Sequence, residues 1–257
     1  FSKGNLQYKP STGVWRFAEN QYEITGGDNA NITQGANCRS WLDLFGWSSS
    51  GREHGSVCWQ PWRMEWFTTD STLYNAYGID TLNLYDGDGQ ADWGYNAISN
   101  GGNAVNYGWR TLTVDEWSYL LNRDPTTLCP KGSWRQVTYR GVFGVLLLPD
   151  YYDGDVIGNL STLTDAQWSM LQQWGAAFLP AAGERSFQYN GAYWGNNDFS
   201  VSGMNLRNSY PVIDSYETMG HYWSATHNTG NDWYNASIMT FTNINGQVGT
   251  GETMRLH

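Results

Sequence analysis

The sequence predicts an α+β domain in which two main helices sit among many short strands and long irregular loops. Three observations predict it. Helix-start signatures stand at Thr113-Val-Asp-Glu116 and at Thr164-Asp-Ala-Gln167. The apolar runs elsewhere are strand-sized, and residues that favour turns bound them. The chain is 40% apolar, with 15 Trp, 17 Tyr and 9 Phe, whereas disordered chains are poor in aromatics. Over 257 residues neither an internal repeat nor a Pro/Ser-rich linker appears, so residues 1–257 are expected to form a single domain.

The elements follow in order. Asn5 to Tyr8 and Val14 to Ala18 flank a Ser-Thr-Gly turn and read as a hairpin. A short helix is expected over Trp93 to Ser99. In the first capping box the Thr113 hydroxyl takes the amide three residues on, and Glu116 reaches back to the Thr113 amide. Val114, Trp117, Leu120 and Leu121 then recur at helical spacing, which places a helix at about 114–122. The second box, with Gln167, opens a helix that carries Trp168 and Leu171 on one face and stops at Gly175. Val142 to Leu148 and Ala176 to Leu179 both run into Pro, as buried strands do on leaving a sheet. Tyr222 to Ala225, Ala236 to Phe241 and Thr253 to Leu256 complete a strand-and-turn C-terminal third.

Charge narrows the partners. A net charge of -10 argues against nucleic acid, since phosphate binding needs basic patches, and against docking on an anionic membrane. No apolar run approaches the ~20 residues of a membrane helix, so no membrane insertion of this domain is expected. Only 15% of residues are charged, against a usual ~25%. The surface must therefore be uncharged and polar, a style that suits proteins working outside the cytoplasm. The sequence opens at Phe1 and reads as a mature or excised domain of a longer polypeptide.

Candidate chemistry is sparse. Asp86-Gly-Asp88-Gly-Gln-Ala-Asp92 resembles the start of a calcium loop, but the sixth and twelfth positions hold Ala91 and Ala97 where an EF-hand needs Gly and Glu. An irregular structural calcium site and a plain Asp/Gly turn both remain open, and no other cofactor is expected. The four His show no metal-binding spacing, and His221 and His227 are expected to be exposed polar residues. No nucleophile elbow is present. Paired carboxylates for sugar hydrolysis meet only in the fold, so the sequence leaves that option open. Asp115-Glu116 reads as helix-start charge. Cys38, Cys58 and Cys129 are compatible with a Cys38–Cys58 bridge and equally with three thiols.

The last 38 residues, Gly220 to His257, are polar, with a thin apolar skeleton of Tyr222, Trp223, Ala236, Met239, Phe241, Met254 and Leu256. Such a stretch is either a disordered tail or a surface whose framework is buried while the residues between face a partner.

Two segments resemble known patterns. Trp109-Arg-Thr-Leu-Thr-Val-Asp-Glu-Trp117, followed by Ser-Tyr-Leu, resembles the Arg-Leu-Pro-Thr-x-x-Glu-Trp-Glu-Tyr signature of the formylglycine-generating-enzyme-like branch of the C-type lectin fold. Thr113 follows Leu112 where that family has Pro. Gly220-His-Tyr-Trp-Ser-Ala-Thr226, then Ala236, Met239, Phe241 and Met254-Arg-Leu256, is similar to the ending of surface proteins from gut bacteria and their phages. Those proteins share further segments with this chain: Phe1 to Tyr8, Trp15 to Asn20, Leu44 to Trp47, Tyr95 to Gly102 and Phe178 to Gly183. Some are variable proteins of diversity-generating retroelements, in which mutagenesis at adenines rewrites chosen codons on a fixed scaffold.

The resemblance implies a C-type-lectin-like α+β fold with a ligand-binding region at about 220–257. Tyr222, Trp223, Ala236, Met239, Phe241, Arg255 and Leu256 match framework positions. The variable, ligand-binding positions would be His221, His227, Asn231, Trp233, Tyr234, Asn235, Ser237, Ile238, Thr240, Asn243 and Asn245. Tyr and Trp give contact area at low entropic cost and Ser, Asn and Gly give adaptable hydrogen bonds, which makes Trp233-Tyr234 the expected hot spot. The stretch between Phe241 and Met254 is shorter than in these relatives. Formylglycine-generating oxidases need a late cysteine pair, and no Cys follows Cys129; a related iron-dependent branch needs a His-x3-His-x-Glu site, also lacking. The expectation is thus a non-enzymatic module on a bacterial cell or virion surface, with a cell-surface protein or glycan as partner. The other readings are a calcium-dependent carbohydrate-binding lectin and an oxidase relative.

Overall fold

The computed structural model describes residues 1–51, 83–102, 108–121, 134–149, 152, 161–189, 192–193, 209–227 and 235–254. The first hairpin forms as expected. Strands β1 (Leu6–Lys9) and β2 (Val14–Phe17) pair antiparallel, with Leu6 opposite Phe17. Long 3-10 turns occupy Gly26–Asn37. The helix expected over Trp93 to Ser99 is a single 3-10 turn, Trp93–Tyr95. The Asp92 side chain caps it by accepting from the Gly94 amide, and Asn96 ends it in an extended conformation (φ -77°, ψ 154°). The Asn96 side chain donates to the Trp93 and Ser50 carbonyls, a local competition with helix that Asn is prone to.

Helix α1 (Val114–Leu121) starts with the expected box: the Thr113 amide donates to Glu116 Oε2 (2.9 Å) and the Glu116 amide to Thr113 Oγ1 (3.2 Å). The Arg110 guanidinium grips both Glu116 oxygens, 2.7 Å on the Nη1 side. These contacts, the guanidinium first, hold the Glu116 carboxyl down at about 2. Because that value lies below the ordinary one, the stabilisation is complete above pH 4.5 and lost as pH falls towards 2. The pair is exposed, so Glu116→Gln is expected to cost only ~0.2–1 kcal/mol at neutral pH. In denaturant titrations the gap between wild type and variant should close as pH falls from 4.5 towards 2; a gap that persists there would show that charge plays no part.

Among the described residues, the largest sheet has four strands in the order β5-β3-β4-β6: β3 (Trp134–Tyr139), β4 (Val142–Leu147), β5 (Thr162–Leu163) and β6 (Ala177–Pro180). β3 and β4 join through Arg140 (φ 50°) and Gly141 (φ 82°), the doubly left-handed geometry of a tight hairpin turn. β5 alone runs parallel to its neighbour. Helix α2 (Asp165–Gln173) opens with the Thr164/Gln167 box. It ends at Gly175 (φ 91°), where the Gly175 amide meets the Gln172 carbonyl and the Ala176 amide meets Leu171, both at 3.0 Å. That is the left-handed glycine stop expected from the sequence.

Along β4 and β6 the side chains alternate between two cores. Leu146, Leu148 and Phe178 pack with Trp168 and Leu171 of α2. Val145, Leu147, Ala177 and Leu179 turn the other way, towards Trp117 and Leu121 of α1 and Met239 and Phe241 of the C-terminal region. A strand covered on both faces reads as a continuous apolar run, as 142–148 does. A third core joins Tyr8, Trp15, Phe17, Trp47 and Trp93 to Ala225 and Ala236.

β7 (Glu184–Tyr189), β8 (Ala192–Tyr193) and β9 (Ser209–Asp214) make a separate three-stranded sheet. The polar ending is no tail up to Met254. β10 (Met219–His227), β11 (Asn235–Thr242) and β12 (Val248–Met254) form an antiparallel sheet with β11 central. Ala236 and Met239 are wholly buried and Phe241 is 1% exposed. The short stretch after Phe241 is a direct hairpin: Phe241 pairs with Val248, and the Thr242 amide donates to Gln247 O. Arg255 and Leu256 lie outside the described residues. Among the described residues, no helix is long and apolar enough to cross a membrane.

Candidate functional site

Segments far apart in sequence meet on β10. The Trp47 indole donates to Ser224 O (2.9 Å), Trp117 to Trp223 O (3.2 Å), and Trp223 to Phe45 O (2.7 Å). The Ala225 amide donates to Leu112 O, and the Val114 amide to Thr226 Oγ1. Thus Leu112 to Trp117 docks along Trp223 to Thr226, and Leu112 O accepts one of the joining bonds. The Tyr222 hydroxyl donates to Pro180 O (2.8 Å). Burial, reinforced by the Asp43 carboxylate, pushes its phenol well above the ordinary range and keeps it a neutral donor. Gly220 is required here: a Cβ would stand 2.3 Å from the Phe241 ring. The Asn100 side chain also spans the Phe17 amide and carbonyl, both at 2.8 Å.

The expected binding positions divide. Asn231, Trp233 and Tyr234 lie outside the described residues. Asn235 begins β11, while Asn243 and Asn245 are exposed in the turn after its far end. Eight residues at about 3.3 Å each separate the two ends by roughly 25 Å. Thr240 is half-buried.

Four positions depart from the expectation of an exposed contact surface. Ser237 (7% exposed) and Ile238 (4%) are buried because β11 is the central strand, flanked by β10 and β12 and packed on both faces. His227 is buried (6%) rather than exposed. The pairing register slips between Trp223 and His227, the mark of a bulge. His227 then lies against the Trp47 ring (6.4 Å), with its amide on Asn83 Oδ1 (2.9 Å). His221 is half-buried rather than exposed, with Nε2 3.6 Å from Glu184 Oε2.

His221 and Ile238 both line a cavity of about 480 Å³. Its walls include Phe17, Trp109, Trp117 and Trp223, and its charged side chains are Asp43, Asp92, Glu184 and Arg110. Asp92 accepts from the Gly94 and Thr111 amides and the Thr111 hydroxyl. Burial nevertheless raises its carboxyl above the usual range. Sequence reasoning read Asp92 only as the end of a calcium-like loop and assigned no role to Asp43 or Glu184. No local signal marks either, since only the fold brings them to the cavity.

Asp86, the other end of that loop, accepts from the Asn83 amide and side chain and closes a turn. Among the described residues no group of three His, Cys, Asp or Glu side chains is placed to hold a metal ion. Cys38 is a buried free thiol; Cys58 and Cys129 lie outside the described residues. In comparisons with known proteins, no family model matches this chain, and neither a curated protein nor a solved structure matches it.

Proposed function

We propose that the chain is a non-enzymatic recognition module with a C-type-lectin-like fold of the formylglycine-generating-enzyme-like branch. It is displayed on a bacterial cell or virion surface and binds a cell-surface protein or glycan through diversified positions of its C-terminal sheet. One observation carries the reading. Within a single polar stretch, Ala236, Met239 and Phe241 are locked into two cores while Asn243 and Asn245 stand exposed on the adjoining turn. Such a division lets surface residues change without cost to the core, which a diversified binder needs. The proposed binding surface then excludes the buried Ser237, Ile238 and His227, and draws on Asn243 and Asn245 after one end of β11 and on Asn231, Trp233 and Tyr234, which precede its other end in sequence. The lack of any Cys after Cys129 supports the non-enzymatic reading.

Arrays of cell-surface proteins and glycans, probed with the chain in the presence and absence of a chelator, test this function. Chelator-insensitive binding to a defined surface ligand is expected, and exchange of Asn243 and Asn245 for Asp should weaken it. Binding abolished by chelator would instead assign a calcium-dependent lectin. Turnover of an arrayed glycan would overturn the non-enzymatic reading.

A further inference from the structure

The outer face of the first hairpin gathers two cations around one ring. Tyr8 and Trp15 turn their side chains into the core, so Gln7, Lys9, Val14 and Arg16 share the opposite face of β1 and β2. Trp41 lies on the segment that joins β1 through the Tyr8–Leu42 bridge. The Arg16 guanidinium stacks on the Trp41 ring, 3.8 Å from its centre, and the Lys9 ammonium stands 5.7 Å from the same centre. All three side chains are half-buried.

The partners of these cations decide the class of ligand. Arg16 spends only its Nε, which donates to Gln7 Oε1 at 2.9 Å. That acceptor is neutral, so the bond and the stacked ring fix the guanidinium without cancelling its charge. Its Nη1 and Nη2 have no acceptor among the described residues and are not sealed from solvent. Among the described residues no carboxylate pairs with Lys9 or Arg16, whereas Glu116 holds Arg110 and Asp165 holds Arg140. Acids outnumber bases 24 to 14 in the chain, so a shortage of acids does not explain the unmatched pair. Like charges repel, and an oxyanion held by both would remove that cost. The two Nη groups match the two oxygens of a carboxylate. The net charge of -10 repels extended polyanions, but a single carboxylate on a neutral body largely escapes that repulsion. The turn Ser11-Thr12-Gly13, between Lys9 and Val14, is exposed and uncharged and offers hydroxyls to such a body.

We infer that this face binds the carboxylate of an acidic sugar, with Arg16 gripping both oxygens and Lys9 adding a second charge. The hairpin shares no residue with the proposed C-terminal surface, so the inference does not rest on that reading. Isothermal titration of the full chain with the methyl glycoside of glucuronic acid, and with that of glucose, tests it without any variant. The acidic sugar should bind at least about ten-fold more tightly, a factor that one charge-assisted hydrogen bond supplies. Arg16→Lys should remove most of this preference, because an ammonium keeps the charge but cannot grip both oxygens. Lys9→Gln should weaken the acidic sugar and leave the neutral one unchanged. Asn243→Asp with Asn245→Asp should leave binding of the acidic sugar intact, which separates failure of the two proposals. Equal affinity for the two sugars, no binding of the acidic one, or equally tight binding of a glutamate blocked at both ends would overturn the inference.

Discussion

Replacing Trp117 with Ala is expected to destabilise the domain by ~3–5 kcal/mol, the range for truncating a large buried aromatic. Three contacts disappear together. The ring is 4% exposed and fills the core between α1, β6 and β11. It lies 6.2 Å from the Tyr222 ring. Its indole nitrogen supplies the hydrogen bond to Trp223 O, so the variant also strips that carbonyl of a partner. Because a domain's total stability is ~5–15 kcal/mol, the loss is a large fraction of the whole. Urea denaturation measures it, and Trp117→Phe separates the terms: ring volume is largely kept while the hydrogen bond, worth ~1 kcal/mol, is lost. A change below 1 kcal/mol in Trp117→Ala would contradict the docking of α1 on the C-terminal sheet.

The second large effect concerns recognition. Trp233→Ala with Tyr234→Ala is expected to abolish ligand binding, since truncating one aromatic hot spot costs ≥2 kcal/mol, or ~30-fold in affinity. Thermal stability should be nearly unaffected. The contrast is set by Met239, wholly buried two residues beyond the buried Ser237, where truncation to Ala should cost ~2–5 kcal/mol. Two variants within one 38-residue stretch thus act on different properties.

Local chemistry was legible in the sequence. The boxes at Thr113 and Thr164, the stop at Gly175 and the doubly covered run from 142 to 148 each depend on residues within a few positions of one another. The framework residues Ala236, Met239 and Phe241 were readable too, because an apolar residue in a polar stretch needs somewhere to go. What escaped depended on distant partners. Nothing near Ile238 shows that β10 and β12 will flank it, and Ser237 looks like a surface residue until β11 becomes a central strand. His227 is buried by Trp47, 180 positions earlier in the chain, and by a slip in register that no local pattern encodes. The Trp93 turn stopped short because Asn96 bonds Ser50, again a long-range partner. The cavity carboxylates Asp43, Asp92 and Glu184 come from three separate regions, so their meeting is a property of the fold alone.

The proposed division of labour within 220–254 is that buried anchors hold the sheet while residues flanking β11 recognise a partner. Melting temperature and ligand affinity, measured side by side for Trp233→Ala/Tyr234→Ala and for Met239→Ala, test it most directly. The account predicts that the double variant loses binding at an unchanged melting temperature, while Met239→Ala melts many degrees lower. A double variant that loses several kcal/mol of stability would place Trp233 and Tyr234 in the core and contradict it.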